Sequence, residues 1–167
     1  MKYFFVGFMG CGKTSVASKF AKSINHSFID MDAWIEQQEQ KSVSEIFSTS
    51  GESYFRALET NMLDKAILSE NVVISTGGGA PCFNNNMQKM NEIGFTVYLK
   101  ADNEILLGRL KLGKEKRPLI ANLSTEELRN YISQKLAERE KYYLQAKQIL
   151  EMKNLSVNQI IKLLKKI

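Results

Sequence analysis

The segment Gly7-Phe8-Met9-Gly10-Cys11-Gly12-Lys13-Thr14 most constrains what this chain can become. It comes after the apolar run Lys2-Tyr3-Phe4-Phe5-Val6 and leads into a stretch of helical periodicity. The pattern G-x-x-x-x-G-K-[ST] between a strand and a helix is that of a phosphate-binding P-loop. Glycines let backbone N–H groups turn inward around phosphate oxygens without a Cβ in the way. The helix after the loop aims its positive end at the same anion. Lys13 supplies a point charge for the terminal phosphates, and the Thr14 hydroxyl is a ligand for Mg²⁺. A chance glycine turn would not place strand, loop and helix in this order.

The rest of the chain is organised around that loop. Its 167 residues predict one domain spanning 1–167. Short apolar runs alternate with amphipathic stretches, which predicts an α/β fold with a parallel sheet and helices on both faces. Strands are expected at 2–6, 27–30, 72–75, 95–99 and 148–152. Helices are expected at 13–23, 33–39, 43–49, 53–70, 84–92, 102–111, 125–147 and 156–166. Ligands of such sheets sit beyond the carboxyl ends of the strands, so the residues just after each strand carry the function.

Composition narrows the chemistry. The net charge is +5 with a pI near 9.1, which suits anionic small ligands. Nucleic-acid binding is not expected, because no RNA-binding signature with interleaved aromatics is present. Two cysteines, Cys11 and Cys82, cannot by themselves make a disulfide scaffold or a four-ligand zinc site, and the single histidine, His26, argues against multi-histidine metal sites and Ser-His-Asp catalysis. No apolar run approaches the roughly 20 residues of a membrane span. The N-terminal run is too short for a signal peptide, so a cytoplasmic, reduced protein is expected. Cys11 sits where a thiol pKa can fall; small-residue filling of the loop is the simpler reading.

Strand 27–30 ends in Asp30-Met31-Asp32. If the segment stays extended, alternation sends both carboxylates to one side. One would hold Mg²⁺ directly or through water, and the other would accept a proton from an acceptor hydroxyl. Helix capping by Asp32 is the competing role. Strand 72–75 ends in Ser75-Thr76-Gly77-Gly78-Gly79 rather than in a magnesium-binding aspartate, which shifts that duty to Asp30. Three glycines suit close backbone approach to a ligand.

Two arginines fall on apolar helical faces. In helix 53–70, Glu59 lies near the middle of the stripe Tyr54, Phe55, Leu58, Met62, Leu63, Ala66 and Ile67, with Arg56 at its flank. An inward carboxylate requires a partner, so an Arg56–Glu59 pair is expected. In helix 125–147, Arg139 lies on the centre line of Leu128, Tyr131, Ile132, Leu136, Tyr143 and Ala146. It either forms a structural salt bridge or binds an anion, and its planar fork suits a carboxylate. Arg109 in helix 102–111 is either a surface residue or a cation that stacks on an adenine ring. Segment 112–123 is charged and holds Gly113 and Pro118; it is either a solvated connection or a mobile lid carrying a cation over the site.

Together these blocks closely resemble the shikimate kinase family, a single-domain branch of the nucleoside-monophosphate-kinase-like P-loop fold. The resemblance covers essentially the whole chain. It rests on Gly7 to Thr14, Asp30-Met31-Asp32, Gly51-Glu52-Ser53-Tyr54-Phe55-Arg56 with Glu59, Gly77-Gly78-Gly79, Arg117-Pro118-Leu119, and Arg139 with Tyr143. It implies a five-stranded parallel sheet of order 2-3-1-4-5, acceptor-binding helices over about 32–60, and a mobile lid. It implies transfer of the γ-phosphate of ATP to the 3-hydroxyl of shikimate, on the route to chorismate and the aromatic amino acids. ATP would be bound by Gly10, Cys11, Gly12, Lys13, Thr14, Ser15, Arg109 and Arg117. Shikimate would be bound by Asp32, Arg56, Gly78, Gly79 and Arg139. Lys13, Asp32 and Arg117 would be catalytic, with Mg²⁺ held by Thr14 and, through water, by Asp30. A monomer is expected. One departure stands out: no proline comes after the last strand in Gln148 to Leu155, so the resemblance carries no partner for that face of adenine. The competing functions are a P-loop kinase for gluconate or a nucleotide, and a nucleotide-binding regulatory module without transfer activity.

Overall fold

A computed structural model describes residues 1–66, 68–114, 119–153 and 155–166. Five strands, β1 (Lys2–Val6), β2 (Ser27–Asp30), β3 (Val72–Ser75), β4 (Phe95–Lys100) and β5 (Gln148–Glu151), form one parallel sheet in the order β2-β3-β1-β4-β5. The expected 2-3-1-4-5 sheet is therefore present. The order reverses direction beside β1, so a crevice opens at its carboxyl end, where the P-loop begins.

Each central strand is buried on both faces, and its alternate residues feed two apolar layers. Phe5, Val73, Val97 and Leu99 pack with Val16, Phe20, Leu106, Leu110, Ile160 and Leu164. These come from α1 (Lys13–Ser23), α5 (Asn103–Lys111) and α7 (Val157–Leu164). Phe4, Val6, Ile74 and Tyr98 pack on the other side with Ile35, Phe55, Leu63 and Met90. Those belong to α2 (Met31–Glu39), α3 (Val43–Ala66) and α4 (Asn86–Ile93). The helix α6 (Thr125–Tyr143) joins the layers, with Leu128 and Ile132 in the first and Tyr143 in the second. Among the described residues no helix is long and apolar enough to cross a membrane.

Helix ends depart from the periodicity where local chemistry intervenes. α2 starts at Met31, two residues earlier than expected, because Asp30 caps it by accepting from the Ala33 N–H. Asp32, for which capping is the competing role, instead lies in the first turn. With helix beginning at Met31, the extended Asp30-Met31-Asp32 segment does not exist. Expected helices 43–49 and 53–70 are the two halves of α3, divided at Gly51, where φ is 80° and ψ 172°. The second half ends at Ala66 rather than 70. α4 begins at Asn86 rather than 84 because Asn84 and Asn85 hold left-handed backbone angles. α6 stops at Tyr143, four residues short of expectation, where the chain turns so that the Lys147 N–H reaches Thr96 Oγ1 and enters β5. In the proposed lid, Ile120 is buried and Leu112 and Leu119 are exposed. Ile67, Arg117 and Pro118 lie outside the described residues.

Candidate active site

The P-loop forms as its glycines require. Gly7, Gly10 and Gly12 hold φ values of 142°, 80° and 100°, which L side chains resist. A Cβ on Gly7 would also meet the Leu99 carbonyl at 2.9 Å. Lys13 is buried, and its ammonium donates to the carbonyls of Gly7 and Phe8 at 2.8 and 3.0 Å. It is thus held inside the curve where a phosphate chain would lie. Cys11 is buried at 1% exposure, in keeping with loop filling. Thr14 and Ser15, in the first turn of α1, are exposed. Arg109 is exposed and donates from Nη1 to the carbonyls of Cys11 and Gly10 at 2.7 and 3.4 Å, so its guanidinium lies against the loop.

Beside Lys13 three hard oxygen donors converge. Thr14 Oγ1 donates to Asp30 Oδ2 at 2.8 Å and lies 3.3 Å from Ser75 Oγ. Asp30 and Ser75 are register partners on β2 and β3. Among the described residues no group of three or more His, Cys, Asp or Glu side chains could hold a metal. A hydroxyl and a carboxylate at a phosphate cradle nevertheless fit Mg²⁺, which takes one or two carboxylates and completes its shell with water and phosphate oxygens. Ser75 is absent from the residues that motif spacing marks for the metal; its position at the strand end, where a magnesium-binding aspartate would otherwise stand, is the signal that points to it.

The Gly77-Gly78-Gly79 segment is the wall on which the remaining groups meet. A Cβ on Gly77 would lie 2.6 Å from Glu59 Oε1 and 2.8 Å from Asp32 Oδ1. On Gly78 it would meet the Met9 N at 3.3 Å and Arg139 Nη1 at 3.6 Å. On Gly79 it would lie within 2.5–2.7 Å of the Arg56 guanidinium. Side chains from α2, α3 and α6 therefore contact one strand-end loop that also touches the P-loop. All three glycines of the run stand on this wall, Gly77 alongside the Gly78 and Gly79 that the resemblance marks for substrate. Tyr143 anchors the wall by donating its hydroxyl hydrogen to the Gly78 carbonyl.

The charges on this wall are strongly coupled. Arg56 donates from Nη1 to Glu59 Oε2 at 2.8 Å, the expected pair. Three rings surround its guanidinium, with Phe83, Phe55 and Phe47 centroids at 4.4, 5.5 and 5.8 Å, within cation–π range. Phe83 has no recognisable signal in the sequence, since it reaches Arg56 only through the turn after the glycines. Glu59 is fully buried and its Oε1 has no hydrogen-bond partner among the described residues. Burial raises its pKa from 4.5 to about 7, against the opposing pull of Arg56. Asp32 is likewise raised, by burial first and then by the charge of Asp30, with Lys13 opposing. A carboxylate raised in this way is a better proton acceptor than an ordinary exposed aspartate. Burial also lifts the Cys82 thiol to about 11, which leaves it unreactive.

Arg139 is half-buried, with its guanidinium 5.8 Å from the Phe8 ring centroid. Among the described residues it makes no ion pair, so the salt-bridge alternative has no partner there. The chemistry available is thus a phosphate cradle, a raised carboxylate, and two guanidiniums separated by glycine backbone.

A family model described as shikimate kinase matches residues 9–167. The shikimate kinase of Parabacteroides distasonis is 49% identical over 145 residues, 87% of this chain and 84% of that protein. That of Bacteroides thetaiotaomicron is 45% identical over 149 residues, 89% and 85% of the two chains. A crystal structure of shikimate kinase from Bacteroides thetaiotaomicron superposes with a TM-score of 0.94 at 40% identity, covering 99% of this chain and 97% of that one. A shikimate kinase from Acinetobacter baumannii in complex with shikimate superposes with a TM-score of 0.90 at 28% identity, covering 99% and 90%. With a family model matched over residues 9–167 and relatives this similar along most of its length, this chain belongs to the shikimate kinase family.

Proposed function

We propose that this enzyme transfers the γ-phosphate of ATP to the 3-hydroxyl of shikimate, with Mg²⁺ held by Thr14 and, through water, by Asp30. The observation that carries the reading is the shared wall: Asp32 contacts Gly77, Arg139 contacts Gly78 and Arg56 contacts Gly79. One hydroxylated carboxylic acid laid along these glycines meets a base at one end and two guanidiniums at the other. The guanidiniums hold the carboxylate, and Asp32 orients the hydroxyl.

In the transfer step the hydroxyl oxygen attacks the γ-phosphorus, the bond to the bridging oxygen breaks, and ADP leaves. The hydroxyl proton passes to Asp32. Lys13, fixed by two carbonyls, stabilises charge on the moving phosphoryl group, which is where a preorganised cation acts most strongly. When bound, Mg²⁺ neutralises phosphate charge. Arg117 is assigned to the phosphates from the lid. Arg109 is assigned to the nucleotide side, supported by its position against the Cys11 carbonyl.

The test is ADP release with ATP and Mg²⁺ across shikimate, quinate, gluconate and nucleoside monophosphates. Shikimate is expected to exceed every other acceptor in kcat/KM by at least tenfold. A preference for gluconate or a nucleotide would overturn the assignment, and tight ATP binding with no acceptor-dependent release would favour a regulatory module.

A further inference from the structure

The two guanidiniums of the pocket are partnered unequally. Arg139 has no ion pair among the described residues, whereas Arg56 has two. Its Nη1 is bound to Glu59, and its Nε and Nη2 both donate to Glu52 Oε1 at 3.1 and 2.8 Å. Glu59 already occupies Nη1 of Arg56 from the buried side. Glu52 is a second counter-ion, with a side chain 56% exposed. It stands directly after the break at Gly51, where nothing lies within 4 Å of an added Cβ. Its carboxylate is free to swing into water without disturbing the core.

We propose that Glu52 is an internal competitor for the substrate's carboxylate. It occupies one fork of the Arg56 guanidinium between turnovers, yields it to the incoming acid, and retakes it as the phosphorylated product leaves. The inference rests on the reading that Arg56 holds the acceptor carboxylate. The exchange replaces one charge-assisted fork with another, and the displaced group is an exposed partner of the kind that contributes little to stability. Glu52 therefore lowers affinity for substrate and product alike, which sets the site for release. A purely structural Glu52 that steadied Arg56 would do the reverse and raise affinity.

The sign of one substitution separates the two roles. In Glu52→Gln, calorimetric Kd values for shikimate and for shikimate 3-phosphate should each fall about three- to tenfold, as expected for removing a partly exposed ionic competitor. The Kd for ATP measured alone should not move. An unchanged or raised shikimate Kd would overturn the proposal. The gain should disappear when Arg56→Met is combined with Glu52→Gln; a gain that survives means the effect is general charge repulsion and also overturns it. If Arg56→Met alone leaves shikimate affinity intact, the assignment of Arg56 to the carboxylate is what has failed. Should loss of Arg56 unfold the protein around buried Glu59, Glu52→Asp replaces that arm. A carboxylate one methylene shorter keeps the charge and loses the reach, so it should tighten shikimate as Gln does, and native affinity in this variant would refute the contact.

Discussion

Gly79→Ala isolates the geometry of the acceptor site from the stability of the fold. The backbone at Gly79 has φ −90° and ψ −23°, a conformation alanine adopts without strain. In the unfolded chain the substitution removes conformational freedom, which by itself stabilises by about 0.4–1 kcal/mol. The added methyl, however, would lie 2.5 Å from Arg56 Nη1, 2.6 Å from Nη2 and 2.7 Å from Cζ, where ordinary contact begins at 3.4 Å. The glycine turn cannot retreat easily. Its Gly77 and Gly79 carbonyls accept from Ala80 and Cys82, and Ala80 and Pro81 are buried. The guanidinium must therefore move by close to 1 Å, against its bond to Glu59 and the rings of Phe47, Phe55 and Phe83.

A misplacement of about 1 Å in a positioning group costs on the order of 10²-fold. We expect kcat/KM for shikimate to fall roughly 30- to 100-fold in an ADP-release assay, mostly through KM, which is about 2–3 kcal/mol of lost transition-state binding. The Tm should change by no more than a few degrees. Native kcat/KM with a native Tm would show that the guanidinium yields freely and that the close approach is incidental. A loss of activity accompanied by a large fall in Tm would show that Gly79 serves packing rather than placement of Arg56.

Three other substitutions probe the remaining parts. Lys13→Ala should lower kcat by at least about 10²-fold, the loss expected for one preorganised charge, with an unchanged circular dichroism spectrum; turnover within threefold of native would remove Lys13 from the mechanism. Arg139→Ala should weaken shikimate binding by about 30-fold or more, the effect of deleting one member of a charge pair, while its Tm stays close to native because no protein carboxylate loses a partner among the described residues; a destabilised variant that still prefers the acid to its amide would assign Arg139 to structure. Glu59 is raised from 4.5 to about 7 by burial, so its contribution is complete below the unfolded value and is lost as pH climbs to the folded one. The Tm of the native enzyme relative to Glu59→Gln should therefore decline between about pH 4.5 and 7, and a rising difference in differential scanning fluorimetry would show that Arg56 outweighs desolvation.

Helical periodicity in this chain reaches further than strand periodicity, and the reason is physical. A residue's direction on a helix depends on its own helix only, so the stripe around Glu59 is enough to predict its full burial and its bond to Arg56. The same reasoning places Arg139 inward, although at its end of α6 the apolar face gives way to the pocket and the arginine is only half-buried. Alternation fails at Asp30-Met31-Asp32 because a cap side chain competes with continued extension. Asp30 bonds the Ala33 N–H, helix begins at once, and Asp32 reaches Gly77 from a helical turn rather than from a strand. That correction changes how the two carboxylates divide their labour. Asp30 is tied on Oδ1 to the start of α2 and on Oδ2 to the Thr14 hydroxyl, so it is rigid and stays by the phosphate loop. Burial together with the charge of Asp30 raises the Asp32 carboxyl. Two aspartates on either side of Met31 thereby stand in different surroundings, which suits the metal-side and proton-accepting roles proposed for them, and what separates them is the hydrogen bond that starts the helix between them.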